Sequence, residues 1–189
     1  LTAQKLAAAW LSDPAGLAWL LNIRARDTAH TPVAFSSGVI YADGQVEWVI
    51  DPLRVPLDIK KTLAHVVQIT PPEAMDEVVM RLKARAGKEP VQVDESCFSQ
   101  KLALMFDHRN IVAKVGQSPI VRPRAIKTPA EQAAIRDTHR KDAVAMIRFL
   151  AWFDEEAPKG HLDEIGVAEK LLSFRKLDPA FRGVSFDTI

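Results

Sequence analysis

The sequence predicts an α/β fold in which helices flank a mixed β-sheet, followed by a shorter region that is mainly helical. Short β-rich runs alternate with amphipathic helical runs up to about residue 116, and two longer helical patterns follow. The composition, with 48% hydrophobic and 26% charged residues, is that of a globular protein able to bury a core.

The first predicted helix begins at Asp13 and Pro14. Aspartate is a favoured N-cap residue, and proline suits the first helical position because the N–H it lacks would have no partner there. Leu17, Leu20 and Leu21 then fall on one face of the helix. This helix is expected to pack against the sheet through that face.

An antiparallel hairpin is predicted next. The β-rich runs 35–41 and 45–50 flank Asp43 and Gly44, and an Asp-Gly pair is a strong signal for a tight turn. The hairpin makes the predicted sheet mixed rather than purely parallel.

The rest of this region is predicted to contain two helices and two strands. Thr70 and Glu73 have the spacing of a capping box, so a helix is expected directly after them. The runs 91–94 and 111–115 are predicted strands on either side of the second helix. The apolar positions of the first helix are Met75, Val78, Val79 and Leu82.

The predicted domain boundary lies in the segment 116–127, which contains two prolines and little periodicity. We therefore divide the chain into domains of residues 1–124 and 125–189. The second region is small for an independent domain, because small domains bury too little apolar surface. We expect the chain to be an internal piece of a longer protein.

Two helices and the start of a strand are predicted in the second region. A capping box at Thr128 and Glu131 begins the first helix, and Asp163 begins the second. The run 181–189 is expected to turn toward a strand. The predicted apolar stripe of the first helix consists of Ile135, His139, Ala143, Met146, Leu150 and Phe153.

Composition argues against several classes of function. The 25 basic and 24 acidic residues leave a net charge of +1, so no nucleic-acid partner is expected. No apolar run approaches the ~20 residues of a membrane span, so no membrane partner is expected either. Cys97 is the only cysteine and is read as a packing residue, and a single thiol fits a cytoplasmic location.

The residue pattern alone does not indicate a catalytic centre. None of the five histidines has another histidine three to five residues away, and Asp107 next to His108 is more typical of a solvated helix end than of a metal site. His139 is interpreted as a core or interface histidine. There is no nucleophile elbow and no glycine-rich phosphate loop. We therefore assign neither catalytic residues nor metal ligands in this chain.

Several separated stretches resemble the cytosolic Xaa-Pro aminopeptidases, a family of pita-bread metallopeptidases. The first matching stretch is DPAGLAWLLNIR at 13–24, and a later one is RDTHRKDAVAM at 136–146. SFDTI at 185–189 matches a stretch after which the family continues into its metal site. These matches follow the family's order along nearly the whole chain.

The resemblance implies a three-domain fold. Residues 1–124 would be the middle domain, of creatinase/prolidase N-terminal type, and residues 125–189 the truncated start of the pita-bread catalytic domain. It implies removal of an N-terminal residue that precedes proline, with two divalent metals, commonly manganese, as cofactors. The family's metal ligands would all follow Ile189, so the chain alone would be inactive scaffold and cleft wall. The remainder of the polypeptide is an implied partner, and the full-length protein would be a homodimer.

The resemblance also implies two substrate-side candidates, Arg24 and His30, because the corresponding loop of related enzymes faces the catalytic cleft. A structural alternative is an Arg24 that is buried and paired with Asp27. The family usually has Gly at the position of Ala25 and a small polar residue at the position of Arg26. Since Gly tolerates a positive φ and Ala does not, the loop shape could differ here.

Two other functions remain open at this point. Pita-bread relatives without metal sites act as non-catalytic protein-binding modules. Creatinase-like hydrolases share the architecture and act on an amidino compound. The sequence following Ile189 would distinguish a protein-binding module from the aminopeptidase. The substrate that is cleaved would distinguish an amidino hydrolase from the aminopeptidase.

Overall fold

The computed structural model describes residues 1–188. The chain forms two compact units, Leu1–Ala125 and a second unit that starts at Ile126. In the part of the chain that the structure describes, no helix is both long enough and apolar enough to span a membrane.

The first unit contains a six-stranded mixed sheet in the order β4-β3-β2-β1-β5-β6. The strands are β1 (Ala8–Leu11), β2 (Ser37–Tyr41), β3 (Val46–Val49), β4 (Val67–Thr70), β5 (Val91–Val93) and β6 (Ala113–Val115). The pairs β1–β2 and β2–β3 are antiparallel, whereas β3–β4, β1–β5 and β5–β6 are parallel. The predicted mixed sheet with flanking helices is confirmed.

Over residues 1–188, five α-helices accompany the sheet and two more form the second unit. They are α1 (Pro14–Leu20), α2 (Leu57–Leu63), α3 (Met75–Ala86), α4 (Gln100–His108), α5 (Val121–Ala125), α6 (Pro129–Glu156) and α7 (Glu164–Arg175). The start of α1 is as predicted, with the Asp13 carboxylate accepting hydrogen bonds from two N–H groups of the first turn. The hairpin is also confirmed, and Gly44 at its turn has a φ of 89°.

The two faces of the sheet have separate apolar cores. One core includes Trp10, Val79 and Phe106, so α3 and α4 cover that face. The other includes Leu11, Leu17 and Trp48 and receives α1. Side chains that alternate along a strand supply both cores, because successive residues point to opposite faces.

Two strands and two helices of the first unit have no individual sequence prediction. Strand β1 pairs with both β2 and β5, and all four of its residues are buried. A strand covered on both faces shows no alternation of polar and apolar residues, so the run 8–11 carries no period of two. Strand β4 and helices α2 and α5 are the other elements that were not predicted.

The capping box predicted at Thr70 and Glu73 is wrong. Thr70 ends β4 and is buried, and its hydroxyl oxygen lies 3.2 Å from the Nη2 of Arg81. Helix α3 begins later, at Met75, and no side chain caps it. The spacing of a capping box is local, whereas the position of Thr70 is fixed by pairing between strands.

The segment 116–127 is more ordered than predicted. It contains α5, and Ile120 is buried in the core on the α1 side. Arg124 donates to the Asp13 carboxylate over 3.1 Å. The end of this segment therefore belongs to the packing of the first unit.

The second unit begins with the predicted capping box, in which Thr128 and Glu131 satisfy each other's backbone N–H groups. The predicted apolar stripe of α6 is exposed at Ile135, His139 and Leu150, so it does not face α7. Ala145 is buried instead. The sequence placed the stripe by apolar spacing alone, and a different row of this helix lies against α7.

An ion pair joins the two helices of the second unit. The Nε of Arg175 in α7 lies 2.7 Å from Oδ1 of Asp142 in α6. Lys170 also lies over the ring of Trp152, 5.3 Å from its centroid. Helix α7 starts at the predicted N-cap, Asp163. The strand predicted at the chain end is not seen over 181–188, and Ile189 lies outside the described residues.

Candidate functional site

Both predicted substrate-side residues lie on the loop 22–36 between α1 and β2. The loop leaves the helix at Asn22, whose φ of 51° is left-handed. Asparagine tolerates this conformation better than most residues because its short polar side chain can bond locally. Ala25 does not have a positive φ. Alanine at this position is therefore compatible with the shape of the loop.

Backbone hydrogen bonds pair the two arms of this loop. Ala25 N donates to Pro32 O, and Asp27 N donates to Val33 O, both over 3.3 Å. At the tip the Thr28 hydroxyl donates to Thr31 O over 2.7 Å. The loop is thus a narrow two-armed structure that returns to the sheet.

The Asp27 carboxylate anchors the loop to its surroundings. Oδ2 accepts a 2.7 Å hydrogen bond from Phe35 N, and Oδ1 accepts one from the Arg54 guanidinium. The side chain of Asp27 is only 14% exposed. The hydrogen bond from Arg54, and then that from Phe35 N, lowers the pKa of Asp27 below its usual value. The carboxylate is therefore ionised at neutral pH.

Arg24 lies at the base of the loop and is exposed. Its Nη1 donates to Ile23 O over 2.8 Å and to Ala18 O over 3.1 Å. The structural alternative, a buried Arg24 paired with Asp27, is wrong because Arg54 occupies that position. His30 lies at the tip of the loop and is half-buried. The substrate-side role of both residues stays a prediction.

A buried polar network on the opposite face of the sheet was not predicted. Glu47 on β3 accepts from the Tyr41 hydroxyl over 2.6 Å and from Arg81 Nη2 over 2.8 Å. Burial and the neighbouring Glu47 carboxylate raise the pKa of Tyr41 above its usual value. A glutamate between Val46 and Trp48 was the available signal, because a charge inside a buried strand needs a partner.

A cavity of about 380 Å³ opens at the carboxyl ends of β1 and β5. Asp94 on its wall accepts from Ser96 N and from Ser118 N. Cys97, read above as a packing residue, also lines the cavity and is half-buried at the end of a short 3-10 turn.

The described residues do not fit a metal centre. Over residues 1–188, no three side chains of the His, Cys, Asp and Glu types are grouped so that they could hold an ion. His139, interpreted above as a core or interface histidine, is exposed on α6 of the second unit. No chemical step that involves metals is therefore derived from these residues.

Comparison with known proteins places this geometry in context. The model of the family described as "Creatinase/Prolidase N-terminal domain" matches residues 1–131. Aminopeptidase P2 of Arabidopsis thaliana is 30% identical over 92% of the chain, which spans 28% of that protein. Xaa-Pro aminopeptidase 1 of Dictyostelium discoideum is 33% identical over 92% of the chain, which spans 27% of that protein. The chain thus spans less than a third of the length of these relatives.

The solved structures that resemble the chain include two peptidases. The X-prolyl aminopeptidase of Caenorhabditis elegans, described as a cytosolic enzyme with a di-nuclear active site, matches all of this chain over 31% of its own length. Its TM-score is 0.89 and its identity 25%. The Xaa-Pro dipeptidase of Bacillus anthracis matches 93% of the chain over 46% of its own length, at 16% identity and a TM-score of 0.68, and supports the fold alone. Because the family match covers more than half of the sequence, this chain belongs to the creatinase/prolidase N-terminal domain family.

Proposed function

We propose that this chain is part of a metal-dependent aminopeptidase that removes the N-terminal residue preceding proline. The observation that carries the proposal is the similarity of the entire chain to the C. elegans X-prolyl aminopeptidase, at a TM-score of 0.89. The relatives from A. thaliana and D. discoideum are also named as aminopeptidases. In this proposal residues 1–124 are the middle domain, and residues 125–189 begin the pita-bread catalytic domain.

The second unit supports a larger catalytic domain. Its helices leave large apolar side chains exposed, which is unusual for a surface that remains in water. These side chains include Ile135, Val144, Ile147, Leu150 and Ile165. We infer that further residues of the whole protein cover this surface.

The role proposed for this chain is scaffold and cleft wall, with Arg24 and His30 on the substrate side. Two divalent metals, proposed to be manganese, would be bound by residues outside this sequence. The di-nuclear site described for the C. elegans enzyme supports two metals. A homodimer in the cytoplasm is part of the same proposal, and the description of that enzyme as cytosolic supports the location.

The test uses the whole protein to which this chain belongs, purified with Mn²⁺. We expect it to release arginine from Arg-Pro-Pro and to leave Arg-Ala-Pro uncut, because proline at the second position defines the substrate class. An intact Arg-Pro-Pro peptide would rule out the aminopeptidase. Hydrolysis of creatine would instead support the amidino hydrolase. Binding of a protein partner, with neither peptide nor creatine hydrolysed, would support the protein-binding module.

A further inference from the structure

We propose that Asp27 is a positioning residue whose carboxylate holds the loop 22–36 in the conformation that presents Arg24 and His30 to the peptide substrate. This inference rests on the proposed function and adds to it a residue that acts through its neighbours. Asp27 lies three residues from each candidate, so an anchor at this point constrains both.

Asp27 connects the outgoing arm of the loop to two separate parts of the first unit. Its Oδ2 binds Phe35 N, two residues before β2, and its Oδ1 binds Arg54 in the turn that follows β3. Both carboxylate oxygens are therefore used within the protein. Such an arrangement fixes the direction of the backbone at residue 27 more tightly than one hydrogen bond could.

The returning arm has a different anchor. Val33 and Ala34 are each only 7% exposed, so burial holds this arm against the rest of the unit. The outgoing arm has Arg24, Arg26 and Ala29 exposed. Its backbone bonds to the returning arm, at 3.3 Å, are longer than the usual 2.9–3.0 Å. The position of the outgoing arm therefore depends on Asp27 more than on apolar packing.

Loss of this anchor should lower the fraction of molecules in which the loop is ready to bind. The apparent affinity for a ligand falls in proportion to that fraction, whereas the bound complex remains the same. We therefore expect Asp27→Ala to raise the KM for Arg-Pro-Pro by about tenfold and to leave kcat within about twofold. A loss of fold alone would reduce the active fraction and hence kcat.

Three variants of the full-length enzyme separate the two contacts of Asp27. Asp27→Asn keeps an oxygen that can accept from Phe35 N but loses the charge that faces Arg54, and Arg54→Met removes the guanidinium alone. Both should raise KM less than Asp27→Ala does. The double variant of Asp27→Ala and Arg54→Met should be no worse than Asp27→Ala, because both changes break the same anchor.

Asp43→Asn is the matched control. Asp43 also pairs with an arginine of the first unit, Arg85, at 2.6 Å, but its side chain is 59% exposed in the hairpin turn. This variant should leave both KM and kcat unchanged.

Trypsin gives a readout that does not depend on the enzyme activity. Arg24 and Arg26 are exposed cleavage sites within the loop, and proteolysis follows the opening of local structure. Cleavage at these two sites should be faster in Arg54→Met, which leaves the sequence around them intact, than in the wild type, and unchanged in Asp43→Asn. The cleavage sites are identified by mass spectrometry of the fragments.

The outcomes distinguish this inference from the proposed function. A wild-type enzyme that leaves Arg-Pro-Pro uncut overturns the proposed function together with the inference. An active wild type with unchanged KM in Asp27→Ala, Asp27→Asn and Arg54→Met overturns the inference alone. Unchanged tryptic cleavage of the loop in Arg54→Met also overturns it. If Asp27→Ala does not fold, the same comparisons are made with Asp27→Asn and Arg54→Met.

Discussion

Arg81 on α3 and Glu47 on β3 form an ion pair that ties the helix to the sheet. Nη2 of Arg81 lies 2.8 Å from Oε2 of Glu47, whose side chain is 3% exposed. The other oxygen of Glu47 accepts from the Tyr41 hydroxyl over 2.6 Å. The carboxylate is therefore fully partnered, and its hydrogen bonds offset part of the cost of burying the charge.

The first prediction concerns the loss of this partner. Arg81→Met should lower the free energy of unfolding of the full chain by about 3 kcal/mol, because it leaves a buried carboxylate without its counter-charge. Urea unfolding followed by tryptophan fluorescence measures the change. The matched control is Arg85→Met on the same helix, since Arg85 lies over the Tyr41 ring and pairs with the exposed Asp43.

We expect the control variant to cost about 1 kcal/mol or less, as is usual for exposed ion pairs and cation–π contacts. Combining Arg81→Met with Glu47→Leu should recover part of the lost stability, because the unpaired charge is then absent. Equal losses for Arg81→Met and Arg85→Met would contradict the assignment of Glu47 as a buried charge that needs Arg81.

The same pair shows where sequence reasoning reaches its limit. The hairpin was predictable because its turn residues, Asp43 and Gly44, are adjacent in the chain. Glu47 and Arg81 are 34 residues apart, and only the parallel crossover from β3 through β4 to α3 brings them together. No local spacing encodes such a contact. Sequence patterns therefore indicated the fold class but not the charge network inside it.

Contacts distant in sequence decide the position of Thr70 and the face of α6 that packs. A threonine three residues before a glutamate fits a capping box, but pairing of β4 with β3 places Thr70 in the sheet. In α6 the residues that meet α7 include Asp142, which pairs with Arg175, and Trp152, which lies under Lys170, so apolar spacing alone does not locate this face. The candidate loop could be located by resemblance, whereas the anchoring role of Asp27 required the positions of Phe35 and Arg54.

The second prediction concerns the contact between α1 and the hairpin. A Cβ at Gly38 would lie 2.6 Å from the backbone oxygen of Glu47 and 3.1 Å from Leu17 in α1. Because a backbone oxygen of the neighbouring strand cannot move aside freely, Gly38→Ala should cost about 1–3 kcal/mol of unfolding free energy. Thermal unfolding of the full chain measures the cost.

Gly116→Ala serves as the comparison for Gly38→Ala, because a Cβ there would meet only the Gln92 side chain, at 3.5 Å. That distance is ordinary van der Waals contact, so we expect a much smaller change in the melting temperature. A Gly38→Ala protein as stable as the wild type would show that β2 and β3 can separate locally without cost.

The third prediction tests the two capping boxes that the sequence suggested. Thr128 caps α6 through Glu131 N, whereas Thr70 caps no helix. Thr128→Ala should destabilise the first turn of α6 by about 1 kcal/mol, and the Glu131 amide should exchange faster with solvent. Thr70→Ala should leave the exchange of the first-turn amides of α3 unchanged. Faster exchange of these α3 amides in Thr70→Ala would instead support a capping box at Thr70.

The fourth prediction concerns the pH dependence of the second unit. The hydrogen bond from Arg175 lowers the pKa of Asp142 in the folded state. Because the folded pKa is lowered, the pair of Asp142 and Arg175 contributes fully to stability above the pKa of aspartate in the unfolded chain, about 3.9. This contribution is lost as the pH falls through the folded pKa of Asp142. We therefore expect α7 amides to lose protection from hydrogen exchange as the pH falls below about 4.

In Asp142→Asn, the α7 amides should be less protected at neutral pH, and their protection should depend less on pH in the acidic range. Asp137→Asn is the matched control, since Asp137 pairs with Lys141 within α6. A wild-type pH dependence that survives in Asp142→Asn would assign the acid sensitivity to other groups.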